Sequence, residues 1–373
     1  MGRISMNDSK KIQTGEVLII GAGAIGGTIG AIIHSTKKDV YFVNRKGDHY
    51  NAIKENGLII DCFEKPFIIP IENNIKDFDR KFKHILVVVK NLDTDNVMKD
   101  IKSVLTPNSL IYSLQNGFGN TDIMAKYVPR EQIVAGVVGW GATKSEPGSI
   151  RITSKTGDFI LGFEDGNNSD DQRLIEMKAF LDLWRPTILS DNIVGFRWSK
   201  LIVNSVITPL SALFDLTIGE LLKHKILSQT MGDVKREGMH IAEANNITLE
   251  KVDNINLRSF LYKPRSKDKI FTRIKFGLLS IIIKQVSIKR HGAIKSSLFW
   301  DLKAGRKTEV DFINGYIAKK AKEVGLEAPL NSFLVKAIHE IENKKREIGM
   351  QNLEELVEKS RISREKVKEQ ELK

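Results

Sequence analysis

The sequence predicts an α/β domain built on a doubly wound parallel sheet, followed by an all-α domain. A glycine-rich turn, "GAGAIGG" at 21–27, separates the apolar run "EVLII" from a segment with helical spacing. Beyond about residue 190 nearly every segment repeats its apolar positions at the helical period. At 373 residues the chain also exceeds what one hydrophobic core usually supports, so two domains are expected.

Residues 1–14 are polar and read as a disordered extension, with no signal peptide. "EVLII" (16–20), the glycine turn with its helix through "TIGAIIHS", and "DVYFVNR" (39–45) form one strand–helix–strand unit. "HILVVVK" (84–90) is a β-branched run suited to a parallel strand buried on both faces. "SLIYSLQNG" (109–117) and "QIVAGVVGWGA" (132–142) read as further strands. "SIRITS" and "FILGF" read as antiparallel additions, and 170–184 as a helix before Pro186. The first domain is thus expected over 15–188 and a helical domain over 189–345, with breaks at Thr248 and Pro329. Residues 346–373, rich in Lys and Glu, read as an exposed or frayed charged helix.

The formal charge of +12 is concentrated. Between Arg258 and Lys295 eleven Lys or Arg face one acid, Asp268, and the rest of the chain is nearly balanced. A nucleic-acid partner is therefore not expected. The block could meet a membrane surface, close over a site, join a dimer contact or form an extra packed helical hairpin. The single cysteine, Cys62, excludes an intrachain disulfide and fits a reducing, cytoplasmic setting. The seven histidines show no ligand spacing, so no metal is expected. No apolar run is long enough to span a bilayer.

Placed between a strand and a helix, Gly21, Gly23 and Gly26 form a dinucleotide fingerprint, with Ala24 and Ile25 inside it. Gly21 permits the tight turn, Gly23 lets backbone approach a pyrophosphate, and Gly26 lets helix and strand close up. The helix start then offers N–H groups and a positive dipole end to phosphate. At the end of the second strand stand Asn44, Arg45 and Lys46, with no acid before Asp48. A guanidinium there favours a 2′-phosphate, hence NADPH, although a plain surface arginine is an alternative.

"FRWSKLIVNS" (196–205) reads as a buried helix, yet Lys200 and Asn204 lie one turn apart on one face of it. An ammonium in a core costs several kcal/mol unless partnered, and a snorkelling lysine is the plain alternative.

Four blocks resemble the ketopantoate reductases (2-dehydropantoate 2-reductases): "GAGAIGG"; "VVVKN" with "LQNGFGN"; "RWSKLIVNSVITPLSAL"; and "SSLFWDLKAGRKTEVDFINGYI". The resemblance spans about residues 15–340. It implies a Rossmann domain, a helical domain, an active site in the cleft between them, and NADPH-dependent reduction of a 2-oxo acid. By position it makes Lys200 the catalytic lysine, Glu309 an active-site glutamate also near cofactor, and Asn204 and Ser297 substrate contacts. Asn116 falls between nicotinamide ribose and substrate, Lys90 on the cofactor side, and Ala142 where backbone meets cofactor. A homodimer is also implied. The chemistry agrees, because hydride addition leaves negative charge on oxygen that an ammonium can stabilise and protonate.

Some positions depart from the pattern. Thr208 and Ile218 stand where further asparagines are common, and Thr208 can still offer one hydrogen bond to substrate. Bulky Phe299 and Trp300 replace smaller or polar residues, and Trp198 and Trp300 are expected to pack between helices. Ser297 could be only a small helix residue, and Glu309 could instead pair with Arg306. The expected activity is reduction of 2-dehydropantoate to pantoate in pantothenate and coenzyme A synthesis. A reductase of another 2-oxo acid is the near alternative, and a non-catalytic NADPH sensor a more distant one.

Overall fold

A computed structural model describes residues 13–154, 156–166, 170–251, 256–263 and 268–371. Contacts divide the chain into two compact units, one taking in the chain up to Gln115 with Thr121–Asp191, the other Asn116–Asn120 with Asn192–Lys373. Residues 1–12 of the expected extension lie outside the described residues. Gln13 and Thr14, read as part of it, instead open the first strand, where they pair with Arg80 and Lys81.

The first unit begins with β1 (Gln13–Ile20), α1 (Ala24–Ser35), β2 (Val40–Val43), α2 (Asp48–Asn56), β3 (Ile59–Ile60) and β4 (Ile71–Glu72). β5 (Arg80–Val87), α3 (Thr94–Lys99), β6 (Leu105–Ser113), α4 (Asn120–Met124) and β7 (Ile133–Val138) follow. β8 (Ala142–Glu146), β9 (Ser149–Ile152), β10 (Phe159–Gly162), α5 (Gln172–Asp182) and β11 (Thr187–Leu189) complete it. The main sheet runs β11-β10-β7-β6-β5-β1-β2-β4 and is parallel except where β10 meets β7. Val17, Leu18, Ile19 and Ile20 of β1 are all buried, as a strand covered on both faces requires. β2 lies on one side of β1 and β5 on the other, so the chain order switches at the carboxyl end of β1, where such sheets bind ligands. The two expected antiparallel additions part company. "FILGF" joins the main sheet as β10, whereas "SIRITS" becomes β9 of a separate sheet, β3-β9-β8, antiparallel to β8 and parallel to β3.

The second unit is helical: α6 (Ile193–Phe214), α7 (Ile218–Lys223), α8 (Lys225–Ala244), α9 (Ile270–His291) and α10 (Ser297–Lys303). A π-helical turn, Asp311–Gly315, leads into α11 (Tyr316–Glu323), α12 (Pro329–Glu342) and α13 (Leu353–Glu371). α6 is its central helix, burying Trp198, Leu201, Ile202, Val206, Leu210 and Leu213, each worth about 1.5–3 kcal/mol or more if an aliphatic or larger side chain is fully removed from water. Its start is capped by Asn192, whose Oδ1 accepts the Gly195 N–H at 3.1 Å while Nδ2 donates to the Thr248 carbonyl at 2.9 Å. Pro329 sits in the first turn of α12, where its missing N–H is harmless.

Pro209 lies inside α6 without ending it. A proline there cannot donate to the carbonyl of Ser205 four residues back. Asn314 Nδ2, from the π turn, donates to that carbonyl instead at 3.0 Å. Asn314 Nδ2 also donates to Asn331 Oδ1 at 2.9 Å, and Asn331 in turn donates from N and Nδ2 to buried Glu237 at 2.9 and 2.8 Å. Ser363 closes the network by donating to Glu237 at 2.5 Å.

Three expectations for this unit need correction. The carboxyl-terminal helix is not frayed: Leu356, Ser360, Ser363 and Val367 of α13 are buried, and Ser360 Oγ donates to Asp233 at 2.6 Å. Its inward stripe uses serines, which a count of apolar residues passes over. Trp198 is buried as expected, but Trp300 is 53% exposed, because α10 turns its ring outward. Among its described residues the basic segment carries the single helix α9 and not a helical hairpin.

Candidate active site

The first unit supplies a dinucleotide cradle. Gly21 has φ +103°, and a side chain on it would press within 2.9 Å of the Val88 backbone. At Gly26 a Cβ would stand 2.2 Å from the Gly21 carbonyl oxygen. Both glycines are required by the turn itself. Gly23 is different, since a Cβ there would meet nothing within 4 Å. Packing does not demand glycine at that position, whereas a phosphate brought close to the backbone would. α1 starts at Ala24 with no side-chain cap on its first N–H groups and no acid in its first turn, which suits an anion. Ala24 and Ile25 are half-buried at this helix start.

His49, missed in the sequence, holds the turn in place. Its Nδ1 accepts the Gly148 N–H at 3.0 Å, so the proton sits on Nε2, which donates to the Ala22 carbonyl at 2.9 Å. Burial lowers its pKa and outweighs the pull of that carbonyl, keeping the ring neutral. Lys90 is exposed just after β5, where its carbonyl accepts the Asp93 N–H, and Ala142 opens β8 half-buried. Gln115 ties the neighbouring loops together by donating to the Val89 carbonyl at 3.0 Å and to Thr94 Oγ1 at 2.7 Å.

Arg45 is 83% exposed, and its guanidinium stands 3.7 Å from the carboxylate of Asp93. The sequence showed no acid beside Arg45 because this one arrives from another loop. An ion pair so open to water is worth at most about 1 kcal/mol, so it holds Arg45 only weakly.

The second unit gathers the remaining candidates around α6. At 100° per residue, Arg197, Lys200, Asn204 and Thr208 fall within about 80° of one another, on one face. Lys200, Asn204 and Thr208 are half-buried, between core and solvent. Thr208 Oγ1 donates back to the Asn204 carbonyl at 2.9 Å, and the Thr208 carbonyl accepts Ser296 Oγ–H at 2.9 Å. Ser296 also caps α10, so Ser297, exposed at the first position of α10, is held beside this part of α6.

Asn116 belongs to this unit through its loop. Gly117 has φ +75°, and a Cβ on it would lie 2.4 Å from the Phe312 carbonyl oxygen, which accepts the Phe118 N–H at 2.9 Å. Phe118 is buried, stacked on Tyr316 with ring centroids 4.8 Å apart and close to Trp198. Arg197 lies over the Phe118 ring at 4.1 Å and donates to the Gly117 carbonyl at 3.4 Å. The loop carrying Asn116 is therefore pinned one turn before Lys200.

Glu309 is 5% exposed and precedes the π turn, where the Phe312 N–H donates to its carbonyl at 3.0 Å. Arg306 pairs with Asp301 at 2.9 Å, which removes the surface partner considered for Glu309. His339 bridges Asp311 and Glu342 at 2.9 and 3.0 Å, and Glu342 accepts the Thr308 N–H at 2.8 Å. Burial works against a charge on His339, yet the two carboxylates overcome it and raise its pKa. This brace holds the segment on which Glu309 sits. Neither Phe118, Arg197 nor His339 could be assigned from the sequence, since each acts through contacts between distant segments.

Comparison with known proteins identifies the same two units. The model described as "Ketopantoate reductase PanE/ApbA" matches residues 17–166, and that described as "Ketopantoate reductase PanE/ApbA C terminal" matches 192–342. A 2-dehydropantoate 2-reductase of Pyrococcus horikoshii is 28% identical over 319 residues, covering 86% of this chain and 95% of that relative. One of Archaeoglobus fulgidus is 28% identical over 336 residues, covering 88% and 98%. Among solved structures, a PanE/ApbA family ketopantoate reductase of Ralstonia eutropha has a TM-score of 0.72 at 24% identity, covering 89% of this chain and 100% of that one. D-mandelate dehydrogenase with NADH and anilino(oxo)acetate has a TM-score of 0.73 at 24% identity, covering 88% and 99%. With both family models matched over most of its length, the chain belongs to the ketopantoate reductase PanE/ApbA family and is an oxidoreductase of the nicotinamide-dependent kind.

Proposed function

We propose that this protein reduces 2-dehydropantoate to pantoate with NADPH, the step that serves pantothenate and coenzyme A synthesis, with Lys200 as proton donor. The observation that carries the reading is the half-buried Lys200–Asn204 pair on α6, with the Asn116 loop pinned at Arg197 one turn away. The overall change is 2-oxo acid, NADPH and a proton to 2-hydroxy acid and NADP⁺. When bound, the cofactor supplies the hydride to C2.

This chain's residues do the rest. The glycine turn and the start of α1 hold the pyrophosphate, Lys90 and Ala142 line the cofactor side, and Arg45 leaves Asp93 for the 2′-phosphate. Asn204, Thr208 and Ser297 hold the substrate's polar groups, and Asn116 orients the region between ribose and substrate. The Lys200 ammonium lowers the energy of the developing alkoxide and gives it a proton. Glu309, buried just before the π turn, is the active-site carboxylate that orients Lys200.

A second reading keeps the chemistry and changes the acid. Thr208 spends its one hydroxyl proton on the Asn204 carbonyl, so it can only accept from a substrate. Ile218 offers its side chain no hydrogen bond at all. A substrate hydroxyl left unpaired would be penalised, which favours a different 2-oxo acid. NADPH oxidation measured with a panel of 2-oxo acids separates the two: 2-dehydropantoate should give the highest kcat/KM. A clear preference for another acid would reject the first reading, and no turnover with any would reject both.

A further inference from the structure

Among the described residues, nothing covers one apolar face of α9. Ile270, Phe271, Ile274, Leu278, Ile281 and Ile282 are each between 56% and 74% exposed. At 100° per residue they fall on an arc of about 120°, along about 18 Å of helix. A row of large apolar side chains of this kind marks a contact surface rather than scattered exposure.

The orientation of the helix is fixed from the opposite side. Ile283 packs on the helical core, Ile288 joins it only beyond the end of the apolar row, and the Phe276 ring lies 5.6 Å from that of Tyr262. Ser280 Oγ accepts the Tyr262 N–H at 3.0 Å, and Lys284 Nζ donates to Ser228 Oγ at 3.2 Å. Beyond its end, the carbonyls of Gly292 and Ile294 accept the Gly219 and Ile218 N–H groups at 3.0 and 2.9 Å. The helix is anchored by one face, and the apolar face points away from that anchor.

Charge decides what fits there. From Lys269 to Lys295 there are seven Lys or Arg and no Asp or Glu. Lys275, Lys289 and Arg290 are exposed beside or beyond the apolar row. A second copy meeting this face would set one cationic helix against another. An anionic lipid surface would instead receive the apolar row between its acyl chains and the flanking cations at its headgroups. No helix among the described residues is long and apolar enough to cross a membrane, so the helix would lie in the interface plane. We propose that α9 is an interfacial helix that docks this protein on an anionic lipid bilayer.

Co-sedimentation of the full-length protein with phosphatidylcholine vesicles, with and without phosphatidylglycerol, tests this. The protein should pellet with the anionic vesicles only, and less so at high salt. Ile274→Asp with Leu278→Asp should lose the bound fraction while keeping oxidoreductase activity and thermal midpoint, since both positions are exposed. Lys275→Glu with Lys289→Glu should also lose it without disturbing the apolar row. Failure to pellet with anionic vesicles would overturn the proposal, as would equal pelleting by the apolar-face variant. Light scattering that shows a wild-type dimer, a monomeric Ile274→Asp/Leu278→Asp variant and no vesicle binding would assign the face to a second copy instead.

Discussion

Holding a lysine half-buried on α6 costs free energy that a leucine would not, and the cost is explained if the ammonium meets developing negative charge. Arg45 is the opposite case. It is 83% exposed and contributes almost nothing to folding, so its worth should appear in binding alone. Arg45→Asp is therefore expected to weaken NADPH by about 1.5–3 kcal/mol, the value of a charge-assisted contact, and to leave NADH nearly unchanged. Fluorescence titration with both cofactors checks this, and an unchanged ratio would reject the phosphate grip. What the sequence made legible was local placement: the glycines of the turn between β1 and α1, and Lys200 one turn from Asn204 on α6. Asp93 was not, because nothing in a string of residues tells that its loop ends 3.7 Å from Arg45.

At the scale of elements, α6 and the turn packed on it behave as one device. Asn314→Ala leaves the Ser205 carbonyl unpaired beside Pro209 and should cost about 1–3 kcal/mol in a denaturant melt. It should also lower turnover, because Asn204 precedes the affected carbonyl by one residue. Gly117→Ala acts on the loop, where neither φ +75° nor the 2.4 Å approach to the Phe312 oxygen tolerates a Cβ. The loop must shift, and displacing Asn116 by about 1 Å should cut kcat by up to about 100-fold. Steady-state kinetics showing full activity in Gly117→Ala would contradict the role proposed for Asn116. The helical character of this region was plain from its periodicity. The proline inside α6 and the serine stripe of α13 were harder to read, because each depends on a partner far away in sequence: Asn314 for the Ser205 carbonyl, and Asp233 and Glu237 for the serines.

Across the whole molecule, pH should act through buried imidazole. His84 is fully buried between Tyr112 and Glu176, and burial drives its pKa down to about 4 despite the carboxylate. The folded form therefore prefers the neutral ring, while the unfolded chain takes up a proton near pH 6.5. Stability from this group is complete above about pH 6.5 and is lost as pH falls towards 4, by about 3 kcal/mol in total. Melts over that range should show the loss, and His84→Gln should flatten it; an equally steep fall in the variant would locate the titration elsewhere. The division into an α/β half and a helical half was evident from composition and period. That Asn116–Asn120 leaves the first unit for the second was not, because the chain returns to the first at Thr121.

The central claim is that the Lys200 ammonium protonates the substrate oxygen. Single-turnover reduction of 2-dehydropantoate by Lys200→Ala, with NADPH affinity measured on the same sample, tests it most directly. The rate should fall by about 10²- to 10⁴-fold, the usual contribution of a positioned proton donor, while the NADPH Kd stays within about threefold. A rate equal to that of the wild-type protein, with the cofactor still bound, would contradict it.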